Sequence, residues 1–241
     1  MSPSRRTAAL AGALYFVTHV TSVAAVALYG PMRSDPGWVL GDASATPVVL
    51  GAMLDVMLAL AVVGTAVALY PLVRRVSARG ALGYVALRTL EACGIVLGAV
   101  AVLALVAVRG LGLEPAVLAG VGGALVAVYT KAFFIGPSLV VVVHSLLLAV
   151  VLYRHRSVPR WIPVLSFVGA PLVLVSNLLV QAGVYGYDSP WAPLSALPLF
   201  AWEISLALRL ILRGLDVPAQ VVDPLTRGAA PAVPHPAAVP A

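Results

Sequence analysis

Residues 81–108 read ALGYVALRTLEACGIVLGAVAVLALVAV, a long apolar run with charges in its interior. As a helix rising about 1.5 Å per residue, the run is long enough to cross about 30 Å of hydrocarbon. Arg88 and Glu91 lie one helical turn apart inside it. A charge at that depth costs roughly 2.5–3.5 kcal/mol on insertion scales, so a charged residue there is expected to pair with another group or to have a function. The run therefore predicts a transmembrane helix with a polar centre.

The composition of the whole chain is that of a membrane domain. Hydrophobic residues make up 61% and charged residues 10%, with a mean hydropathy of +1.04, whereas soluble domains average about 45–50% apolar and about 25% charged residues. The net charge of +6 comes from arginines scattered over short loops, which indicates topology and anionic lipid rather than nucleic acid. The single cysteine, Cys93, excludes a disulfide framework and is expected to be a small buried hydrophobe.

Windows of about 20 residues predict an all-α, polytopic integral membrane bundle of six helices. The predicted spans are 8–30, 48–70, 81–108, 131–153, 161–183 and 194–213. We expect the apolar segment from Pro115 to Tyr129 to lie in or dip into the outer interface before the fourth span. Residues 1–213 would form the membrane domain. Residues 214–241, rich in proline and alanine, would form a flexible cytoplasmic tail.

The placement of arginine predicts the orientation. Two arginines, Arg33 and Arg109, fall in loops on one side. Ten fall on the other side: Arg5, Arg6, Arg74, Arg75, Arg79, Arg154, Arg156, Arg160, Arg213 and Arg227. The positive-inside rule then places both termini in the cytoplasm. Lys131 is the single lysine, which is typical of coding from a GC-rich bacterial genome, so we expect a bacterial cytoplasmic (inner) membrane protein.

The polar residues of four spans are predicted to share one layer. Counting about 1.5 Å per residue from the cytoplasmic end of each span places four of them at about 13–17 Å, near the midplane. These four are His19, Glu91, His144 and Glu203. Arg88 lies about one turn below. Asp55 and Asn177 lie nearer the outer leaflet, where with Gln181 they would form an outward branch of a polar chamber.

Three interpretations of this layer remain open. Arg88 and Glu91, at positions i and i+3, would neutralise each other while the histidines fix the packing. Alternatively, a buried glutamate takes up and releases protons during transport or acid-base chemistry. In the third interpretation, two histidines and two carboxylates ligate zinc or iron. No H-x-x-x-H or E-x-x-H spacing presets such ligands, so we assign no metal. Motifs for nucleotide binding and proteolysis are also missing from the sequence, and no cofactor is expected.

Short motifs along most of the chain point to a family. They are 6–30 (RTAALAGALYFVTHVTSVAAVALYG), 50–52 (LGA) with Asp55, 64–71 (GTAVALYP), 83–84 (GY), Arg88-x-x-Glu91-Ala92, 158–163 (VPRWIP) and 202–203 (WE). Together they resemble a widespread bacterial family of uncharacterised multi-pass membrane proteins, a domain-of-unknown-function group. The resemblance implies a small all-helical inner-membrane domain. It marks Arg88, Glu91 and Glu203 as family positions, and it implies no activity.

We predict that the bundle binds or moves a small lipophilic or cationic molecule through the chamber with proton coupling. Glu91, Glu203 and Asp55 would be the proton-handling or catalytic carboxylates. The residues expected to bind substrate or relay protons are Arg88, His144, His19 and Asn177. One alternative is a membrane-embedded acid-base enzyme, an isomerase or cyclase acting on an isoprenoid-like lipid. Another is a structural or sensory subunit. The expected partners are membrane lipid and a small molecule, and a homo-oligomer is compatible with the sequence.

Overall fold

A computed structural model of the chain describes residues 2–35, 37–186 and 189–216. These residues are helical or in loops, and no strand occurs among them. The helices are α1 (Pro3–Leu28), α2 (Gly30–Ser34), α3 (Thr46–Val73), α4 (Ala78–Val108), α5 (Pro115–Phe133), α6 (Val141–Arg154), α7 (Trp161–Gln181) and α8 (Trp191–Leu212). A π-helical segment, Phe134–Val140, joins α5 to α6.

Six helical stretches in the described part of the chain are long and apolar enough to cross a membrane. They are α1, α3, α4, the joined stretch Pro115–Arg154, α7 and α8. The predicted all-α fold with six spans is therefore confirmed. An even number of crossings leaves both ends of the bundle on the same side, and the side itself remains a prediction from the arginines.

Residues 115–129 are continuous with the fourth span rather than separate from it, because they begin one helical stretch that runs from Pro115 to Arg154. Their place at the outer interface stays a prediction. A straight helix of the 40 residues in this stretch measures about 60 Å, well beyond one perpendicular crossing of about 30 Å. Packing supports the extension, because α5 contacts α4. A Cβ on Gly122 would lie 2.8 Å from the side chain of Val39, in the loop after α2.

The six spans form a closed ring that follows the order of the chain. Each span packs against the next one: α1 against α3, α3 against α4, α4 against the π-helical segment and α6, α6 against α7, and α7 against α8. The last span, α8, also packs against α1. A ring of this kind turns one face of every helix inward, so polar residues from distant parts of the sequence meet in its interior.

Glycines set the closest approaches between the helices of the ring. A Cβ on Gly94 of α4 would lie 2.9 Å from the Cα of Gly136, which belongs to the π-helical segment. A Cβ on Gly169 of α7 would lie 2.3 Å from the backbone nitrogen of Leu199 in α8. Pro137 and Pro198 lie next to these contacts, within the π-helical segment and α8 respectively. Backbone therefore packs on backbone at both places, as is common between membrane helices.

Apolar side chains cover the outer surface of the ring. Large exposed hydrophobic residues occur on every span, for example Val20, Leu60, Leu90, Val143 and Leu208. Such a surface suits lipid rather than water. Cys93 lies on the outward-facing side of α4 and is exposed as well. The expectation that it is buried is therefore wrong.

The described start of the predicted tail packs against the bundle. The Asp216 amide donates a hydrogen bond to the Ser157 carbonyl at 2.9 Å, and the Asp216 carboxylate lies 2.6 Å from Arg209 Nη2. The rest of the predicted tail, residues 217–241, lies outside the described residues.

Candidate functional site

Arg88, Glu91 and His144 form a buried cluster between α4 and α6. Arg88 Nη1 donates to Glu91 Oε2 at 3.0 Å, and His144 Nε2 lies 2.9 Å from the same oxygen. The relative exposures are 2%, 5% and 1% for Arg88, Glu91 and His144. The predicted pairing of Arg88 with Glu91 is therefore present, and it involves one of the two carboxylate oxygens of Glu91. Glu91 Oε2 accepts from two donors, which stabilises the carboxylate as an anion.

His19 and Glu203 form a second cluster between α1 and α8. His19 Nε2 lies 3.2 Å from Glu203 Oε2, and the imidazole also packs edge-on against Phe200, with ring centroids 4.9 Å apart. The sequence placed both residues in the midplane layer but did not pair them. Arg209, the nearest cation along α8, is instead 2.6 Å from Asp216.

The hydrogen bonds of His19 require one proton to lie between the imidazole and Glu203. His19 Nδ1 is 2.7 Å from the Tyr15 carbonyl, and a carbonyl only accepts, so Nδ1 carries a hydrogen. In the neutral imidazole Nε2 would then be an acceptor facing the carboxylate oxygen. The Nε2 to Oε2 contact of 3.2 Å therefore needs a proton, either on Nε2 or on the glutamate. The His19–Glu203 pair therefore holds one proton that can be exchanged. Glu91 differs, because two hydrogen-bond donors hold it as a carboxylate.

Both clusters line one cavity in the interior of the ring. The cavity has a volume of about 200 Å³ and is lined by Arg88, Glu91, His19 and Glu203 together with apolar side chains of α3, α4 and the π-helical segment. Arg88 Nε and Nη2 have no hydrogen-bond partner among the described residues. Both atoms are shielded from solvent, so these two donors are left unsatisfied within the packing around Arg88.

A larger cleft adjoins this cavity on the side toward the start of α8. It has a volume of about 540 Å³, shares His19 and Glu203 with the inner cavity, and reaches Arg33, Asn177 and Ala192. Asn177 Nδ2 donates to the Ser138 carbonyl at 3.3 Å, which joins α7 to the π-helical segment. With the predicted orientation, the cleft opens outward. Asn177 thus lines the cleft, and the outward direction of this branch stays a prediction.

Asp55 lies apart from the chamber. It is fully buried and accepts a hydrogen bond of 2.7 Å from Tyr29 Oη through Oδ2. Neither the cavity nor the cleft includes it in its lining. Gln181, the other residue of the predicted branch, accepts a hydrogen bond from Lys131. The predicted outward branch is therefore formed by Asn177 alone of its three members, because Asp55 faces α1 rather than the ring interior.

A buried pair of tyrosines lies beside the chamber. Tyr15 and Tyr84 share a hydrogen bond of 2.7 Å between their hydroxyls, and each is 1% exposed. The Arg88 guanidinium lies 5.6 Å from the Tyr15 ring centroid, and the Tyr84 ring contacts His144 edge-on at 5.7 Å. Under the predicted orientation this pair closes the chamber toward the cytoplasm. Sequence reasoning missed both, although Tyr15 precedes His19 and Tyr84 precedes Arg88 by four positions, so each tyrosine shares a helix face with a polar residue of the chamber.

The four midplane residues separate into two pairs rather than one ligand set. Across residues 2–35, 37–186 and 189–216, no three histidine, cysteine, aspartate or glutamate side chains are grouped so that they could hold a metal ion. Two-residue pairs of histidine and carboxylate are instead suited to moving protons.

The fold and its interior place the protein in the class of six-helix membrane bundles with buried polar residues. Residues 10–214 match the family described as Domain of unknown function (DUF4386), and the chain belongs to that family. The resemblance drawn from the sequence motifs is thereby confirmed as a domain-of-unknown-function family. The searches of curated proteins and of solved structures returned no match.

Proposed function

We propose that this protein binds a small lipophilic or cationic molecule in the midplane chamber and exchanges it for a proton. The observation that carries the proposal is the His19–Glu203 pair, which lines both the inner cavity and the outer cleft. Glu203 is the carboxylate that a ligand entering through the cleft would meet, and the shared proton lies in its contact with His19. A cation that replaces this proton would be bound by the carboxylate of Glu203, so ligand binding and proton release would be the same event.

The second cluster would hold the chamber in shape during this exchange. Glu91 is fixed by Arg88 and His144 through one oxygen, so it stays a carboxylate while Glu203 changes state. Arg88 would neutralise Glu91 throughout, so that Glu203 is the carboxylate left to bind a cation. Leu58, Val62 and Ile95, which also line the cavity, would contact the apolar part of the ligand.

Movement to the other side would require the tyrosine pair to open. Tyr15 and Tyr84 lie on α1 and α4, and their mutual hydrogen bond of 2.7 Å would have to break for a path toward the cytoplasm. In this proposal the protein resides in the cytoplasmic membrane of a bacterium with both termini inside. The cleft then faces the exterior, and the described conformation is the one open to that side.

The experiment is a coupled flux measurement in proteoliposomes. Ethidium serves as the lipophilic cation, and a trapped pH-sensitive dye reports protons. We expect an ethidium gradient to drive a proton flux with the wild type and with Glu114→Gln, a control at the exposed start of α5. Glu203→Gln should insert and fold normally and show no coupled flux. A wild type that moves neither ethidium nor protons would refute the proposal, and so would a fully coupled Glu203→Gln.

One observation favours a second function, acid-base catalysis on an isoprenoid-like lipid. Glu91 and Glu203 approach the same cavity of about 200 Å³ from α4 and α8, so a proton donor and an acceptor could flank one bound substrate. Incubation with isoprenoid lipids followed by mass spectrometry and chromatography separates the two functions. An isomerised or cyclised product that depends on both glutamates would establish catalysis. Unchanged lipid would instead favour ligand binding with proton exchange.

A further inference from the structure

Three arginines surround a cavity at the cytoplasmic end of the bundle under the predicted orientation. Arg5 belongs to the first turn of α1, Arg75 to the turn after α3, and Arg213 to the end of α8. The cavity has a volume of about 220 Å³, with Ser2, Ser4 and Leu72 also in its lining. The chain brings these three segments together because the ring closes where α8 returns to α1.

The charge of this cavity is not balanced by the residues around it. Arg5 Nη1 donates to the Leu210 carbonyl at 2.9 Å and Nη2 to the Leu212 carbonyl, so its guanidinium is fixed at the end of α8. The side chains of Arg75 and Arg213 make no hydrogen bond or ion pair within the described part of the chain. Among the described residues that line the cavity there is no aspartate or glutamate.

The three arginines give the lining of the cavity a positive charge, so an anion placed among them is attracted by all three. Guanidinium groups match the oxygens of a phosphate in fork geometry, which makes arginine the preferred phosphate ligand. The start of α1 adds a helix N-terminus, where anions are favoured. With the predicted orientation the cavity lies at the level of the phosphates of the inner leaflet, where basic pockets between membrane helices bind anionic headgroups.

We propose that this cavity binds the phosphate group of an anionic membrane phospholipid. The acyl chains would lie along the apolar outer surface of the ring. Bound there, the lipid would join the start of α1, the end of α3 and the end of α8, and so stabilise the seam of the ring between α1 and α8. The same seam carries the His19–Glu203 pair, although this site is independent of what the chamber binds.

The test compares lipids and variants in thermal unfolding of the purified full chain in neutral detergent. The lipids are phosphatidylglycerol and the zwitterionic phosphatidylcholine, with inorganic phosphate as a separate arm. The cavity variant is Arg75→Gln with Arg213→Gln. The matched control is Arg79→Gln with Arg154→Gln, two exposed arginines on the same side of the membrane that do not line the cavity. Arg5 is left intact because it caps α8.

We expect phosphatidylglycerol to raise the melting temperature of the wild type and of the control, and most of that shift to be lost in the cavity variant. Native mass spectrometry, which counts retained phosphatidylglycerol, should give the same order even if a variant starts from a lower stability. Equal responses of the cavity variant and the control, or an equal effect of phosphatidylcholine, would overturn the proposal. Inorganic phosphate that reproduces the full shift would also overturn it, because the ligand would then be free phosphate.

Discussion

His19 on α1 and Glu203 on α8 meet at 3.2 Å, at the contact where the last helix of the ring returns to the first. The proton that their contact requires is therefore held at the seam of the ring. Removal of that proton leaves a nitrogen lone pair facing a carboxylate, which weakens the contact between α1 and α8. Protonation and the packing of these two helices are coupled by this geometry.

The buried cluster on α4 leads to a prediction about stability. Arg88→Ala leaves Glu91 with His144 as its remaining donor, and breaking a buried ion pair typically costs about 3–5 kcal/mol because a charge is left unpaired. The double variant Arg88→Ala with Glu91→Gln removes that charge and should recover part of the loss. Thermal unfolding in detergent measures both.

The result that contradicts the pairing is a double variant no more stable than Arg88→Ala alone. Thr89→Ala is the control on the same helix, since Thr89 is exposed and its hydroxyl bonds only to the Val85 carbonyl of its own helix. It should leave the melting temperature nearly unchanged.

Counting residues brought together side chains that do contact each other, whereas it could not predict which face of each helix turns inward. The rise of a helix converts position along a span into height in the membrane, so the shared layer of His19, Glu91, His144 and Glu203 follows from counting residues. Which face of each helix turns inward depends on packing between helices. Asp55 is a carboxylic acid like Glu91 and Glu203, yet its side chain accepts a hydrogen bond from Tyr29, outside the chamber. The His19–Glu203 contact joins the two ends of the sequence, where no local pattern relates them.

The separation of Asp55 from the chamber predicts that it has no part in proton exchange. Asp55→Asn keeps an oxygen that can accept from Tyr29 and should leave ethidium-coupled proton flux at the wild-type level. Tyr29→Phe should instead lower stability by about 1–3 kcal/mol, the typical cost of a buried polar group left without its partner. If Asp55→Asn abolished the ethidium-coupled proton flux, Asp55 would have to take part in proton exchange.

The contact of α7 with α8 predicts a strong effect of one methyl group. A Cβ on Gly169 would lie 2.3 Å from Leu199 N and 2.8 Å from its Cα, so Gly169→Ala forces the two backbones apart. Overpacking of this kind costs about 1–3 kcal/mol. The matched variant is Gly120→Ala in α5, where a Cβ has no atom within 4 Å, and it should be neutral or slightly stabilising. Equal melting temperatures for the two variants would show that the helices do not approach so closely.

The arginine distribution predicts the topology. Paired periplasmic and cytoplasmic reporters fused after Arg213 should show a cytoplasmic end, and a reporter placed in the turn between α4 and α5 should show the opposite side. The stretch from Pro115 to Arg154 is one continuous helical candidate span, so it is counted as one crossing. A periplasmic signal after Arg213 would mean an odd number of crossings.

The length of the fourth span could not be predicted from hydropathy alone. A window of about 20 residues finds the part that crosses the membrane and treats the remainder as a separate segment. Gly94 and Gly136 allow the helices to touch backbone to backbone, and contacts with α4 then extend the helix back to Pro115. The π-helical segment around Pro137 keeps the helical stretch continuous past a residue that lacks an N–H group.

The most direct test of the central claim counts protons released when the chamber binds a cation. Purified protein in weakly buffered detergent solution is mixed with ethidium, while a pH indicator and ethidium fluorescence are followed together. The wild type and Asp55→Asn should release a proton for each ethidium bound, and Glu203→Gln should release none. Binding without proton release in the wild type, or the same release from Glu203→Gln, would contradict the account.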